Sequence, residues 1–520
     1  MASKWWTLIV VSVAVLMLLL DITVVSVALP SISRDLHANF EHLQWVVDAY
    51  SLALASWLLA GGSSADRYGR KRVFAMGLAL FITASALCGL AQTPLMLDLC
   101  RAVQGVGGAL LFSTALALLG HSFQGRERGL AFGTFGAVTG IGVAIGPLVG
   151  GVVTDGLGWR WVFFINVPLG LAALLVTLRK VEESRNTNAL RTDWWGMALF
   201  SAALFLLVFA LVQGNQRGWT SPLILAALCA AAFLLGLFWA WERHTKDPLL
   251  DLNLFRLPTF TGISVVAFAL SAAVFSLLLY ITLYLQTVLG FSPLGAGVRS
   301  LPSTLSMFAI APLAGRLSVR APVRLLLAGG LLVAGAGCAL LTVVSPSSPW
   351  TALIPGFVLQ GLGVGIANPP LAASAIGVVE PERGGMASGI NSTFRQVGIA
   401  TGVAAFGAIF QHKLIADSSR LLHAAKALPS LPAALRGQLG RRLLAGEADV
   451  LARSLPKPAA QLITHAYKVG FVGGLDLIFW VAAGVAAVGS VFALALVRRR
   501  DFVAAAGQGR RSQRLAKPLR

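Results

Sequence analysis

Charge is what this 520-residue chain has least of: 12% of it is charged, against 57% hydrophobic. A soluble domain carries about 25% charged residues. Apolar runs of eighteen or more residues recur from end to end, which excludes a soluble class. Cysteine is also scarce. Cys88, Cys100, Cys229 and Cys338 lie singly in apolar runs, with neither metal-ligand nor disulfide spacing, and read as packing residues. The chain has no Gly-x-x-x-x-Gly-Lys-[Ser/Thr] phosphate loop and so no ATP engine of its own. It has no His-Glu-x-x-His motif and no arrangement that reads as a nucleophile triad, so neither a metal, a cofactor nor an enzymatic reaction is expected. Nor is there the repeated polar lining that a channel requires.

What is abundant is apolar helix and positive charge. The formal net charge is +20 and the pI about 10.9. In a soluble chain that excess would point to nucleic acid. Here the cations fall in loops between spans, where they set orientation and meet anionic headgroups, so lipid is an expected partner and nucleic acid is not. Lys4 followed by an apolar stretch mimics a signal peptide. The run is too long for one and carries Asp21, so it reads as an uncleaved first helix.

About fourteen spans of the length that a bilayer requires can be marked. They are 5–29, 43–62, 73–91, 95–119, 130–153 and 161–178, then 194–212 and 223–241, then 260–285, 296–317, 323–344, 350–376, 386–410 and 469–497. The basic loops at 62–72, 126–128, 179–191, 243–256, 316–324 and 498–500 share one side, which the positive-inside rule makes cytoplasmic, with both termini. The exception is 411–468, a long basic segment with spaced leucines and prolines, read as an amphipathic hairpin on the outer face. An internal repeat is visible. Gln104-Gly105-Val106-Gly107 and Glu127-Arg128-Gly129 recur as Gln360-Gly361-Leu362-Gly363 and Glu382-Arg383-Gly384, at an offset of roughly 255 residues. The expected fold is all-α and membrane-integral: two pseudo-symmetric six-helix halves, 1–180 and 259–497, two extra central helices within 181–258, and a basic tail at 498–520.

Several polar residues stand out inside the spans. Asp21 interrupts the first, at a cost of roughly 2.5–3.5 kcal/mol for an ionised side chain at helix centre. Arg101 lies at a matching depth in the fourth, so the two can meet. Either they form a static buried pair, or Asp21 is balanced between ionisation favoured by Arg101 and neutrality favoured by burial, and exchanges protons. Asp48 in the second span is either a cation-binding group or an entrance residue near water, and Asp476 in the last is open in the same way. Arg395, near mid-membrane, reads as facing the bundle interior and balancing acidic groups. The fifth span carries Gly146-Pro147 and Gly150-Gly151, which favour close packing and a kink. Between the second and third spans, Gly62 to Arg72 reads Gly-Ser-Ser-Ala-Asp-Arg-Tyr-Gly-Arg-Lys-Arg, a short charged turn expected to stay in water.

That turn resembles the signature loop of the major facilitator superfamily. Arg101-Ala102-Val103-Gln104-Gly105-Val106-Gly107 resembles its fourth-helix motif, and Arg395-Gln396-Val397-Gly398 a motif of its later half. Asp21 to Pro30, Gly146-Pro147-Leu148-Val149-Gly150-Gly151 and Trp159 to Pro168 resemble the fourteen-helix drug–proton antiporters, although Ser26 stands where Asn is more usual. The resemblance implies a monomeric secondary transporter in a bacterial inner membrane, exporting hydrophobic or cationic compounds by alternating access with the proton gradient as energy source. It makes Asp66 and Arg70 a gating latch and Asp21 the coupling group. A proton-coupled importer of a small metabolite and a non-transporting membrane sensor are the competing readings.

Overall fold

The computed structural model describes residues 3–502 except 39, 124–125, 185–192, 246–247, 319, 344, 347, 380–383 and 425–456. Long apolar runs without water must satisfy their own backbone, and helix is the form that does so within one segment. The first seven helices are α1 (Ser3–Leu36), α2 (Phe40–Tyr68), α3 (Arg70–Gly89), α4 (Pro94–Ser122), α5 (Arg126–Leu157), α6 (Trp161–Phe164) and α7 (Asn166–Lys180). The central pair is α8 (Trp194–Arg217) and α9 (Pro222–Glu242). The rest are α10 (Pro258–Leu270), α11 (Leu277–Leu283), α12 (Pro293–Arg299), α13 (Leu301–Leu317), α14 (Val323–Leu340), α15 (Ile354–Gly377), α16 (Gly384–Ala424) and α17 (Lys457–Leu496). Two π-helical turns, Ser271–Phe275 and Tyr284–Val288, flank α11 within one continuous rod.

Twelve helical stretches among the described residues are long and apolar enough to cross a membrane. The 32-residue α5 and α12 with α13 fall on the two remaining spans marked in the sequence. All the crossings expected from the sequence are therefore helix. In the segment 411–468, α16 continues unbroken to Ala424 and α17 begins at Lys457, so both ends of the segment are helical and continuous with membrane helices. Its middle, 425–456, and the tail from 503 onward lie outside the described residues.

Buried apolar side chains form two large clusters. One draws on α1 to α5 and α7 with Ala372 and Ile376 of α15, and includes Phe74, Phe81, Phe132 and Leu58. The other draws on α10 to α17 and also takes in Leu59 and Ala60 of α2 and Met197, Phe200, Leu204 and Phe238 of the central pair. The central helices thus share their apolar core with the later helices, while Leu52 and Ala55 of α2 meet Val208 of α8 in a smaller cluster.

Between the two large clusters, α5 packs on α13 and α2 on α16. Where α5 begins and α13 ends, the packing is backbone to backbone. A Cβ placed on Gly315 of α13 would stand 2.1 Å from the Gly129 carbonyl oxygen of α5, and one on Gly129 2.2 Å from that of Gly315. The Ser388 hydroxyl of α16 donates to the Ser113 carbonyl of α4 at 2.6 Å. On this face the bundle is closed.

That closure should depend on the two glycines. Overpacking costs about 1–3 kcal/mol, enough to shift a two-state equilibrium by roughly tenfold. Gly315→Val is therefore expected to speed maleimide labelling of a reporter Ser388→Cys about tenfold at unchanged membrane level. Unchanged labelling would mean that the contact does not hold the face shut.

Candidate functional site

The polar centre is built around Asp21. Its carboxylate accepts from Arg101 Nη1, from Gln104 Nε2 at 2.9 Å and from Asn166 Nδ2 at 3.3 Å. Helix geometry supplies the partners. Arg101 and Gln104 are three residues apart on α4 and share a face, while Asn166 opens α7. Arg101 is held from the other side as well: its Nε donates to the Val46 carbonyl at 2.9 Å and its Nη1 to Gln104 Oε1 at 2.8 Å. The Tyr50 ring lies 4.3 Å from its guanidinium carbon. Asn166 also donates to Ser85 Oγ at 3.2 Å, and Ser85 donates to the Phe163 carbonyl. Asp21 and Arg101 are 2% and 1% exposed. The result is a neutral pair sealed from water, held by residues of α1, α2, α4 and α7, with α3 and α6 behind Asn166.

The remaining expected residues sit elsewhere. Asp48 accepts from Gln213 Nε2 of α8 at 3.1 Å, which ties α2 to the central pair and keeps Asp48 apart from Asp21. Arg395 is buried as expected, but no carboxylate pairs with it among the described residues. The Phe275 ring, in the first π turn, lies 5.9 Å from its guanidinium carbon, so the expectation that it balances acidic groups is corrected. Asp476 Oδ1 is buried without a hydrogen-bond partner among the described residues. Gly146 and Gly150 let α5 lie against α1: a Cβ on Gly146 would stand 1.6 Å from Thr23 Oγ1, and one on Gly150 3.1 Å from Val24 Cα. Gly151 faces open space, so it contributes nothing to that contact. The Pro147 side chain lies outside the described residues, and α5 runs through it as continuous helix.

The Gly62–Arg72 turn is shorter than expected. α2 continues to Tyr68 and α3 starts at Arg70, with Gly69 at φ 107° making the whole reversal, a conformation that glycine adopts without strain. Asp66 and Arg70 are therefore not in water; they are buried at 6% and 3% exposure. Asp66 Oδ1 accepts from Arg70 at 2.8 and 3.1 Å. Its Oδ2 accepts from the Met386 amide at 2.8 Å, in the first turn of α16, where the helix dipole favours an anion. One carboxylate thus joins α2 to α3 and to α16.

Sequence reasoning gave no role to Asn166, Tyr50 or Glu183. The Glu183 carboxylate accepts from the Lys71 and Arg72 amides at 3.1 and 3.3 Å, capping α3 from the segment after α7. Asn166 and Tyr50 carried a usable signal, being polar groups inside apolar spans; Glu183 carried none. On the opposite face, Asp35 accepts from Arg160 and from Trp159 Nε1, and these bonds, Arg160's first, hold its carboxyl below the ordinary range.

A family model described as Major Facilitator Superfamily matches residues 11–403. The chain is 40% identical over 406 residues to the puromycin resistance protein pur8 of Streptomyces alboniger, covering 77% of this chain and 80% of that one. It is 33% identical over 499 residues to a tetracenomycin C resistance and export protein of Streptomyces glaucescens, covering 94% and 91%. Among solved structures it resembles the human organic anion transporter MFSD10 (TETRAN), with a TM-score of 0.62 over 94% of this chain and 99% of that one. At 14% identity that likeness concerns the fold alone.

Removing one member of the buried pair should cost more than removing both. Arg101→Met leaves Asp21 an uncompensated buried charge, at about 3–5 kcal/mol. Asp21→Asn with Arg101→Met is expected to recover most of it, read as thermal unfolding in detergent by tryptophan fluorescence. Additive losses in the double variant would show that the pair is not energetically coupled.

Proposed function

This chain belongs to the Major Facilitator Superfamily, and on that footing we propose that it is a proton-coupled exporter of hydrophobic or cationic toxic compounds, working by alternating access in a bacterial inner membrane. The observation that carries this reading is the sealed Asp21–Arg101 pair. Protonating Asp21 with Arg101 in place would leave a lone buried cation, which is strongly unfavourable. Proton loading is then tied to a rearrangement of α1 against α4, and that is the link an exchanger needs between proton and conformation. Resistance and export are the printed roles of the similar Streptomyces proteins, which supports outward transport of a toxic compound.

The face bearing both termini is the cytoplasmic one on this reading, and the structure is the state closed to it. The helices of 1–180 and of 259–497 rock about the α5–α13 and α2–α16 contacts, with the pair in 181–258 travelling with the second unit. Asp66 holds the α2–α16 contact shut through the Met386 amide. The protein acts as a monomer and draws on no cofactor, the proton gradient being its energy source.

The coupling experiment uses the whole protein in liposomes with an acidic lumen, cytoplasmic face outward, with ethidium and puromycin as probes. Wild-type protein is expected to accumulate the probe while protons leave the lumen. Asp21→Asn, checked first for normal insertion, should lose accumulation and probe-driven proton release while still equilibrating probe down its gradient; Asp21→Glu should retain part of both. Wild-type accumulation by Asp21→Asn would move the coupling role to Asp48 or Asp476.

Asp66→Asn and Arg70→Ala act on the latch and not on a binding surface. Both are expected to lower the turnover rate with probe affinity nearly unchanged. Collapse of equilibrium binding in a normally inserted variant would contradict the latch.

A further inference from the structure

Arg395 is a buried cation without a counter-charge. It stands on α16, roughly 16 Å along the axis from Gly384, and is 9% exposed. A guanidinium does not shed its proton inside a protein, so only a partner can relieve its burial. Among the described residues Arg395 has no ion pair and no hydrogen bond; it meets the Phe275 ring at 5.9 Å. A ring face leaves the N–H donors along the guanidinium edge untaken. Phe275 is itself carried by the π turn Ser271–Phe275, a helical defect found frequently at functional sites.

Asn391 lies one turn before Arg395 on the same side of the helix. It is 2% exposed, and both its amide oxygen and its amide nitrogen are buried without a partner among the described residues. A buried polar group left unpaired bears its full desolvation penalty. The direction of this helix face is fixed by Ser388, which donates to the Ser113 carbonyl of α4. Asn391 and Arg395 follow Ser388 by three and seven residues, and that spacing keeps all three on one face. The face therefore turns toward the first helical unit, and its polar groups come directly after the closed contact. Around them, Phe275, Phe394 and Val397 are partly buried apolar side chains. A fixed cation and an unpartnered amide thus sit together among apolar walls.

We propose that Arg395 and Asn391 form a binding subsite for the carboxylate of an amphipathic organic acid, with Arg395 as the counter-charge and Asn391 as a second donor. A carboxylate matches the guanidinium fork, taking two parallel N–H bonds at once. The Asn391 amide can donate to one of the same oxygens, and its carbonyl is left to accept from a ligand hydroxyl. A neutral compound supplies no counter-charge and a cation is repelled. A small inorganic anion answers the charge but gains nothing from the apolar walls, which suit the body of an amphipathic acid. The inference rests on the exporter reading above and adds compounds bearing an acidic group to those the protein carries. The subsite lies two turns beyond Ser388 on the helix whose first turn also gives the Met386 amide to Asp66. A ligand held there loads the same helix that closes the bundle.

The test uses full-length protein in phosphatidylcholine nanodiscs at neutral pH, with pyrenebutyrate as the carboxylate probe and pyrenebutanol as its neutral counterpart. The wild type is expected to bind the carboxylate about tenfold more tightly than the alcohol, as a charge-assisted bond predicts. Arg395→Gln should remove that preference and leave the alcohol unchanged. Asn391→Leu should weaken carboxylate binding about threefold. Arg395→Lys keeps the charge and loses the fork; it replaces Arg395→Gln if that variant does not insert, with about threefold weakening expected. Equal binding of the two probes by the wild type, or wild-type carboxylate binding in the Arg395 variant, would overturn the proposal. So would equal probe binding with a chloride-dependent unfolding temperature that the Arg395 variant loses, which would make an inorganic ion the occupant. Proton-driven accumulation of ethidium in wild-type liposomes is measured separately. If it is absent while the nanodisc result holds, the exporter reading fails and the subsite stands; if it is present while the Arg395 variant binds both probes normally, the subsite alone is wrong.

Discussion

A carboxylate that water cannot reach must be surrounded by donors, and the interior around Asp21 is arranged to meet that need. Three donors come from two helices, and the guanidinium that neutralises it is in turn held by a carbonyl of a third. The polar side chains of α1, α4 and α7 are placed by this requirement, and the apolar ones fill in around them. Because every partner of the pair has a further partner, no member can move alone without leaving a polar group unsatisfied in a medium with nothing to offer it. A single proton on Asp21 is then a disturbance felt by whole helices.

The closed face obeys a different constraint. There the helices approach until backbones touch, which only glycine permits at Gly129 and Gly315. Asp66 works beside that contact as a charge set against the first turn of α16. Close packing gains from dispersion over many atoms and fails abruptly when separated, whereas a charge facing a helix dipole weakens gradually with distance. Together they give a contact that is firm when shut and has a definite point of release.

The central pair shows how an insertion is absorbed into an existing bundle. α8 and α9 bury Met197, Phe200, Leu204 and Phe238 in the core of the later helices, while α8 reaches α2 through Val208 and the Gln213–Asp48 bond. An added helix that touches both sides of a bundle leaves a gap wherever its packing is incomplete, and a groove lined by residues of α2, α4 and α8 is such a gap. Trp45 and Phe205 were available in the sequence as aromatics in apolar spans, but nothing in their order along the chain places them beside one another.

The crossings and their order, the internal repeat and the meeting of Asp21 with Arg101 were legible from residue order alone. The reason is that the bilayer fixes helix length and makes each intramembrane charge conspicuous and each partner for it scarce. Depth along a helix axis is a one-dimensional quantity, so sequence position is enough to estimate it. Rotation about the axis and the choice of neighbour are not one-dimensional. Tertiary structure alone decided that Asp66 and Arg70 are buried, that Asp66 reaches the Met386 amide, that Arg395 faces a ring instead of a carboxylate, and that Glu183 caps α3. It also decided that Asp48 belongs to α8 and not to Asp21. Each of these depends on which face of a helix meets which other helix, and in a chain apolar on nearly every face the sequence holds little record of that choice.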